Sequence, residues 1–218
     1  MKLVYQGIGH EFYVLSHKKM ITRLRDKYDF KTALCCPYNK QLDPEPRYYR
    51  NGFFERFDIG AHLKDYPNNG YGIVWNFCYL HRTPEMVREM KRVSNRFVLG
   101  LVSNGCNPGL IVHGIYHGIR SNWSGCVHPE RGDKKLMAQS GLRSIFQDSG
   151  LKVLETGAFD CAPWPDTVCS IREFFGMSGF HDETSLKLPW SPRILSVETF
   201  TLPLGRVFGH HIYCLGEK

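Results

Sequence analysis

Any chemistry done by this chain must come from a few side chains. His113 and His117 lie four residues apart, followed by Cys126 and His128. Three imidazoles and a thiolate are a donor set that holds zinc tetrahedrally. The stretch GLIVHGIYHGIRSNWSGC is, however, interrupted by Gly109, Gly114 and Gly118. One rigid helix therefore does not present both histidines, and no metal is expected. Cys35 and Cys36 would be nucleophiles only beside a base, and none is close in sequence; thiols in an apolar run read as buried strand residues. Asp58 and Asp65 are the carboxylates nearest to plausible strand ends before Gly72, although an aspartate in a polar segment more often sits on a solvated loop. His81 can act as a base or orient a substrate where it faces a pocket, and is otherwise a packed or capping histidine.

These groups need a scaffold. Residues 10 to 28 place Phe12, Leu15, Met20, Ile21 and Leu24 among His17, Lys18, Lys19, Arg23 and Arg25, a spacing that predicts an amphipathic lead-in helix. Residues 32 to 36, closed by Pro37, read as a buried strand, and 37 to 52 as a loop in which Pro37, Pro44 and Pro46 forbid a helix of useful length. GIVWNF, residues 72 to 77, is a strand after the turn signal PNNG. Thr83 is a good N-cap with Pro84 at the first helical position, which predicts a helix over 84 to 94. RFVLGLV, residues 96 to 102, follows as a second buried strand, so the pair forms a strand-helix-strand unit in a parallel sheet. Residues 134 to 149 read as a helix ended by Gly150, and 151 to 159 as a strand. Residues 194 to 200 and 207 to 215 read as late strands, an antiparallel pair at the sheet end.

Composition narrows the class. With 42% hydrophobic and 22% charged residues over 218 positions, the chain can bury one core, and a single domain spanning 1–218 is expected. Within it, 1–30 carries the lead-in helix and 104–133 a lid-like insertion. The eight cysteines are scattered, with no CxxC pair, which suits reduced thiols. Neither a signal peptide nor a membrane span is legible, so the expected location is cytoplasmic. The net charge of +7 suits an acidic partner, but basic residues cluster only briefly, at 17–19 and 131–135, which is thin support for nucleic-acid binding.

The words in these elements carry a resemblance. YGIVWNFCYLHRTPEMVREMKRVSNRFVLGLVSN, residues 71 to 104, resembles the fourth strand, following helix and fifth strand of class I S-adenosylmethionine-dependent methyltransferases, especially the small-molecule group often labelled type 11. The shared features are a hydrophobic strand ending near Asn76, the pair Leu80-His81, the Thr-Pro helix start, and a strand leading into Ser103-Asn104. The likeness continues more weakly through Gly150 to Gly157 and the closing HHIYCLGEK, about two thirds of the chain. It implies a Rossmann-like α/β three-layer sandwich with a mostly parallel sheet, shortened in the N-terminal half. It also implies S-adenosylmethionine as the cofactor of an active enzyme, held near Pro37, Tyr38, Asn39, Asp58, Asn76 and Phe77, with His81 facing the pocket as the candidate catalytic residue.

The sequence departs from that family where the cofactor would lie. The family places a glycine-rich turn after its first strand, so that bare backbone can approach the ligand. Here Pro-Tyr-Asn-Lys-Gln-Leu-Asp-Pro follows Cys36, and no glycine occurs before Gly52. About 35 residues separate the first strand from the strand at Gly72, where two crossovers sharing a strand need roughly 50–60. At least one strand and helix are thus expected to be missing, including the piece that would carry the family's ribose-binding acid. The aspartate usual at the start of the fourth strand is replaced by Gly72. The expected function is a methyltransferase-like protein with a degenerate cofactor site, a non-catalytic structural or regulatory subunit without cofactor. The alternative is an active methyltransferase acting on a small-molecule acceptor. Tyr48, Tyr49, Phe53, Phe54, Trp164, Trp190 and Tyr213 supply apolar surface. A sheet face stripped by the shortening is expected to pair with another subunit or a second copy.

Overall fold

The computed structural model describes residues 8–36, 49, 52–60, 62–76, 83–107, 137–159, 209 and 211–218. The first helix, α1, spans Ile8–Tyr28. From its second half His17, Met20, Ile21 and Leu24 turn inward at helical spacing. It ends because Asp29 takes a left-handed conformation (φ 49°) and returns its N–H to the Arg25 carbonyl, with Arg25 and Lys27 complementing the negative end of the helix dipole.

The chain then enters β1 (Thr32–Cys36), β2 (Arg56–Ile59) and β3 (Tyr71–Asn76). It continues through α2 (Thr83–Val93), β4 (Ser94–Ser103), α3 (Gln139–Asp148), β5 (Lys152–Phe159) and β6 (His211–Glu217). The six strands form one sheet in the order β2-β1-β3-β4-β6-β5. The β1–β2, β1–β3 and β3–β4 pairs are parallel, and β6 runs antiparallel between β4 and β5.

Both faces are covered. On one, Met20, Ile21 and Leu24 of α1 join Phe30, Tyr49, Phe54, Trp75 and Phe97. On the other, Val87, Met90 and Val93 of α2 and Leu142 and Phe146 of α3 pack over Leu34, Val74, Val98 and Ile212. The Phe146 ring lies where a Cβ on Gly100 or Gly216 would sit, 2.7 and 2.8 Å away, so glycine on two adjacent strands is what lets α3 approach. Gly150, at φ 70°, ends α3 as its position in the sequence implies.

Among the described residues of 8–36, 71–107 and 137–159 the predicted elements recur with shifts of a few residues, apart from the helix expected over 134 to 149, which begins at Gln139. Three expectations need correction. A second strand is present: RFDI forms β2 beside β1, with Asp58 opposite Leu34. Four residues of alternating polarity at a sheet edge give too short a run to stand out. The spacing argument assumed a full helix in each crossover. Instead, residues 62–70 lead into β3 through a 3-10 turn, Leu63–Asp65, that Arg92 of α2 fastens by donating to the Leu63 and Tyr66 carbonyls.

The late strand is also placed differently. β6 begins at His211 and lies inside the sheet, because seven rungs to β4 and seven to β5 satisfy it on both edges. Residues 194 to 200 lie outside the described residues, as do Trp164, Trp190, Tyr48 and most of the 104–133 segment. Finally, among the described residues these aromatic side chains cover the sheet and do not leave it bare: Tyr49 and Phe54 are buried in the chain's own core, and Phe53 packs against it.

Candidate functional site

In an open α/β sheet the place to look is the rim at the carboxyl ends of the parallel strands. Here that rim is built from Cys36 of β1, Gly60 after β2, Asn76 of β3, Ser103 and Asn104 at the end of β4, and His211, where antiparallel β6 begins. Cys36 is level with Asn76, and His211 with Ser103 and Phe159.

The polar side chains of this rim are engaged inward. Asn76 is fully buried, and its amide makes both bonds that a further backbone rung would make: Nδ2 donates to the Leu101 carbonyl at 2.6 Å, and Oδ1 accepts from the Leu101 N–H at 2.7 Å. It stitches β3 to β4 just where β3 ends. Asn104, also buried, donates to the Gly209 carbonyl at 2.7 Å and accepts from the Cys106 N–H at 3.0 Å, joining the end of β4 to the chain that enters β6. Burial pushes the Cys36 thiol far above its ordinary pKa, so it is not a nucleophile at neutral pH.

Asp58 is the acid on the second strand, and its carboxylate is turned away from the rim. Tyr71 donates to Oδ2 at 2.5 Å and Arg56 Nε to the same oxygen at 2.7 Å, while Arg56 Nη2 also reaches the Tyr71 hydroxyl at 2.8 Å. Leu34 is level with both Asp58 and Val74, so Tyr71, three residues before Val74, lies toward the amino end of the strands, as does Arg56. Burial, then the Asp58 contact, raises the Tyr71 hydroxyl well beyond its ordinary range. Tyr66 closes the end of β2: its hydroxyl donates to the Ile59 carbonyl at 3.3 Å, and its ring fills the space where a Gly60 Cβ would be. Asp65 is exposed in the 3-10 turn.

Pro37, Tyr38, Asn39, Phe77 and His81 lie outside the described residues, as do His113, His117, Cys126 and His128. Among the described residues no group of three His, Cys, Asp or Glu side chains could hold a metal ion, and no helix is long and apolar enough to cross a membrane.

Two features escaped sequence reasoning. His17, grouped with Lys18 and Lys19 as a basic cluster, is fully buried behind the rim. Its Nδ1 lies 2.9 Å from the Tyr49 hydroxyl, and its ring sits among Tyr49, Trp75 and Phe159. Burial pushes its pKa down to about 3, so the ring is neutral at physiological pH. Its spacing from Met20, Ile21 and Leu24 was the available signal. The second feature is Glu155 of β5, which accepts from Tyr213 at 2.6 Å, from Lys27 at 2.9 Å and from Arg23, pinning α1 to the β5–β6 edge. Burial acts to raise the Glu155 carboxyl, but the bonds from Arg23, Tyr213 and Lys27 outweigh it and hold the pKa at about 2.

Known proteins resemble this chain in fold and not in sequence. No family model matches it, and no curated protein sequence matches it. Among solved structures, a SAM-dependent methyltransferase from Archaeoglobus fulgidus superposes with a TM-score of 0.51 at 12% identity, over 93% of this chain and 95% of that one. A SAM-dependent methyltransferase from Thermotoga maritima, described as a possible histamine N-methyltransferase, gives 0.51 at 10% identity, over 96% and 91% of the two chains. The fold is that of the SAM-dependent methyltransferases. Within this methyltransferase fold, residues 71–104, whose wording suggested the likeness, form β3, α2 and β4 in the implied order. At such identities the likeness speaks for the architecture alone.

Proposed function

We propose that this protein is a methyltransferase-fold chain with a degenerate S-adenosylmethionine site, acting without catalysis as a structural or regulatory subunit of a cytoplasmic assembly. One observation carries the reading: Asp58, the carboxylate on the second strand, faces Arg56 and Tyr71 on the amino-terminal side and not the rim. An acid that grips ribose must present its oxygens to the ligand. Here Oδ2 already takes two strong donors, and redirecting it would strip them of their acceptor. The absence of glycine between Cys36 and Gly52 supports the same reading, because bare backbone is what allows close approach to such a ligand. The rim amides of Asn76 and Asn104 hold strands together and offer a ligand little.

The presence of β2 favours the competing reading, an active methyltransferase for a small acceptor, since a second strand that carries a carboxylate pairs with β1. In that reading S-adenosylmethionine would lie over the rim beside Pro37, Tyr38, Asn39 and Phe77, with His81 near the acceptor. Titration calorimetry with S-adenosylhomocysteine, backed by thermal shift, separates the two. The subunit reading expects no saturable heat and no rise in Tm. Saturable binding in the micromolar range, about −8 kcal/mol, overturns it, because a ligand that binds only the folded state must raise the melting point.

A further inference from the structure

Three Asn-Gly pairs occur in the sequence, at 51–52, 69–70 and 104–105, and the structure describes both residues of the second and third. An asparagine before glycine can lose its side-chain amide without an enzyme, because a glycine nitrogen, with no Cβ beside it, has open access to the preceding Cγ. The fold treats the two described pairs differently. Asn104 is 1% exposed, its amide donates to the Gly209 carbonyl and accepts from the Cys106 N–H, and the Gly105 N–H donates to the Met137 carbonyl at 3.1 Å. Asn69 is exposed in the turn that leads into β3, in the left-handed conformation (φ 56°) that asparagine adopts more readily than most residues. Its Oδ1 accepts from Lys218 Nζ at 2.5 Å, and the same ammonium donates to the Ser94 carbonyl at 3.1 Å. The turn accounts for the asparagine. The cation on its amide oxygen adds chemistry.

We propose that Asn69–Gly70 is a site at which the folded chain deamidates, and that Asn104–Gly105 is not. The Gly70 nitrogen gives up its proton and attacks Asn69 Cγ. The C–N bond that forms closes a succinimide ring, the Cγ–Nδ2 bond breaks, and the amide leaves as ammonia. Water then opens the ring at one carbonyl or the other, leaving an aspartate or an isoaspartate, so one water is consumed for each ammonia released. Negative charge builds on Oδ1 as Cγ becomes tetrahedral, and the Lys218 ammonium already stands at that oxygen to stabilise it. One bond opposes the attack: the Gly70 N–H donates to the Val93 carbonyl at 2.8 Å and must let go first, which slows the step roughly fivefold. Asn104 must surrender two side-chain bonds as well as the Gly105 N–H bond, a penalty of roughly a hundredfold. Either product sets a carboxylate close to Lys218 and lowers the net charge of +7 by one.

The test incubates the full chain in mildly alkaline buffer, folded and in parallel in urea, and reads conversion at each asparagine by mass spectrometry with fragmentation that separates aspartate from isoaspartate. In the folded protein Asn69 should convert at least about tenfold faster than Asn104, and in urea the two rates should converge. Gly70→Ala, whose added Cβ meets the Pro67 ring at 3.2 Å and needs only a small shift, should suppress conversion at Asn69. Lys218→Met should slow it about threefold in the folded protein and leave the rate in urea unchanged. Equal conversion of Asn104 in the folded protein, no conversion of Asn69 there while it proceeds in urea, or a parental rate in Gly70→Ala overturns the proposal. An unchanged folded-state rate in Lys218→Met overturns the part given to the lysine.

Discussion

Asp58 and Glu155 occupy comparable positions: each is a carboxylate on an edge strand, β2 or β5, and each is held by an arginine and a tyrosine hydroxyl. They differ in what the contacts join. Asp58 is bound by residues two and thirteen positions away, is 38% exposed, and sits within its own stretch of sheet. Glu155 is 16% exposed and gathers Arg23 and Lys27 from α1 with Tyr213 from β6, across 132, 128 and 58 residues. The first pair settles a local orientation and turns an acid away from the rim. The second network closes the loop between the first helix and the end of the sheet, where its loss must be felt by distant parts of the chain.

The comparison can be broken most forcefully through α1. His17, on the same helix, is neutral in the folded state and titrates near 6.5 when unfolded. The unfolded chain therefore binds more protons between pH 6.5 and about 3, so stability must fall as pH drops below 6.5, by up to about 1.4 kcal/mol per unit. Urea unfolding at successive pH values should show this slope, and His17→Gln should flatten it; an unchanged slope would remove His17 from the account.

Next in size, Glu155→Ala should cost about 2 kcal/mol, after allowing for the solvent exposure of Arg23, because buried Tyr213 loses its acceptor and two cations lose theirs. Hydrogen exchange in α1 should speed up in that variant. Protection that is altered only in β5 would deny the network its long reach.

The pH dependence of the same site sharpens the contrast. With its pKa lowered from 4.5 to about 2, Glu155 contributes stability that is complete above 4.5 and lost as pH falls toward 2. A Glu155→Gln protein should have a shallower decline in that window, read as Tm against pH, and a matching decline would sink the assignment. Smallest of all, Asp58→Ala should cost about 1 kcal/mol, because buried Tyr71 loses its acceptor while the exposed Arg56 pair adds little, and a double-mutant cycle with Arg56 should give weaker coupling than one between Arg23 and Glu155.

Much of the scaffold was legible because its signals are local. TALCC, YGIVWN and the Thr-Pro start of α2 declare strand or helix within a few residues, and Gly150 declares a helix end. β2 was not, since RFDI is short and its strand character comes from pairing with β1. The site was less legible still. Asn76 was rightly seen at a strand end, yet that its amide is taken up by Leu101 depends on where β4 lies. His17 reads as charged beside two lysines and becomes neutral only when Tyr49, Trp75 and Phe159 enclose it.

By itself the sequence determined most of the described elements and their order, β2 excepted, together with the absence of glycine after the first strand, because propensity and period act over neighbours. Only the tertiary structure decided that β6 lies inside the sheet, that Asp58 faces Arg56 and Tyr71, and that Glu155 binds α1. Those outcomes depend on pairing and charge between residues distant in the chain, and such energies exist only once folding has brought the partners together.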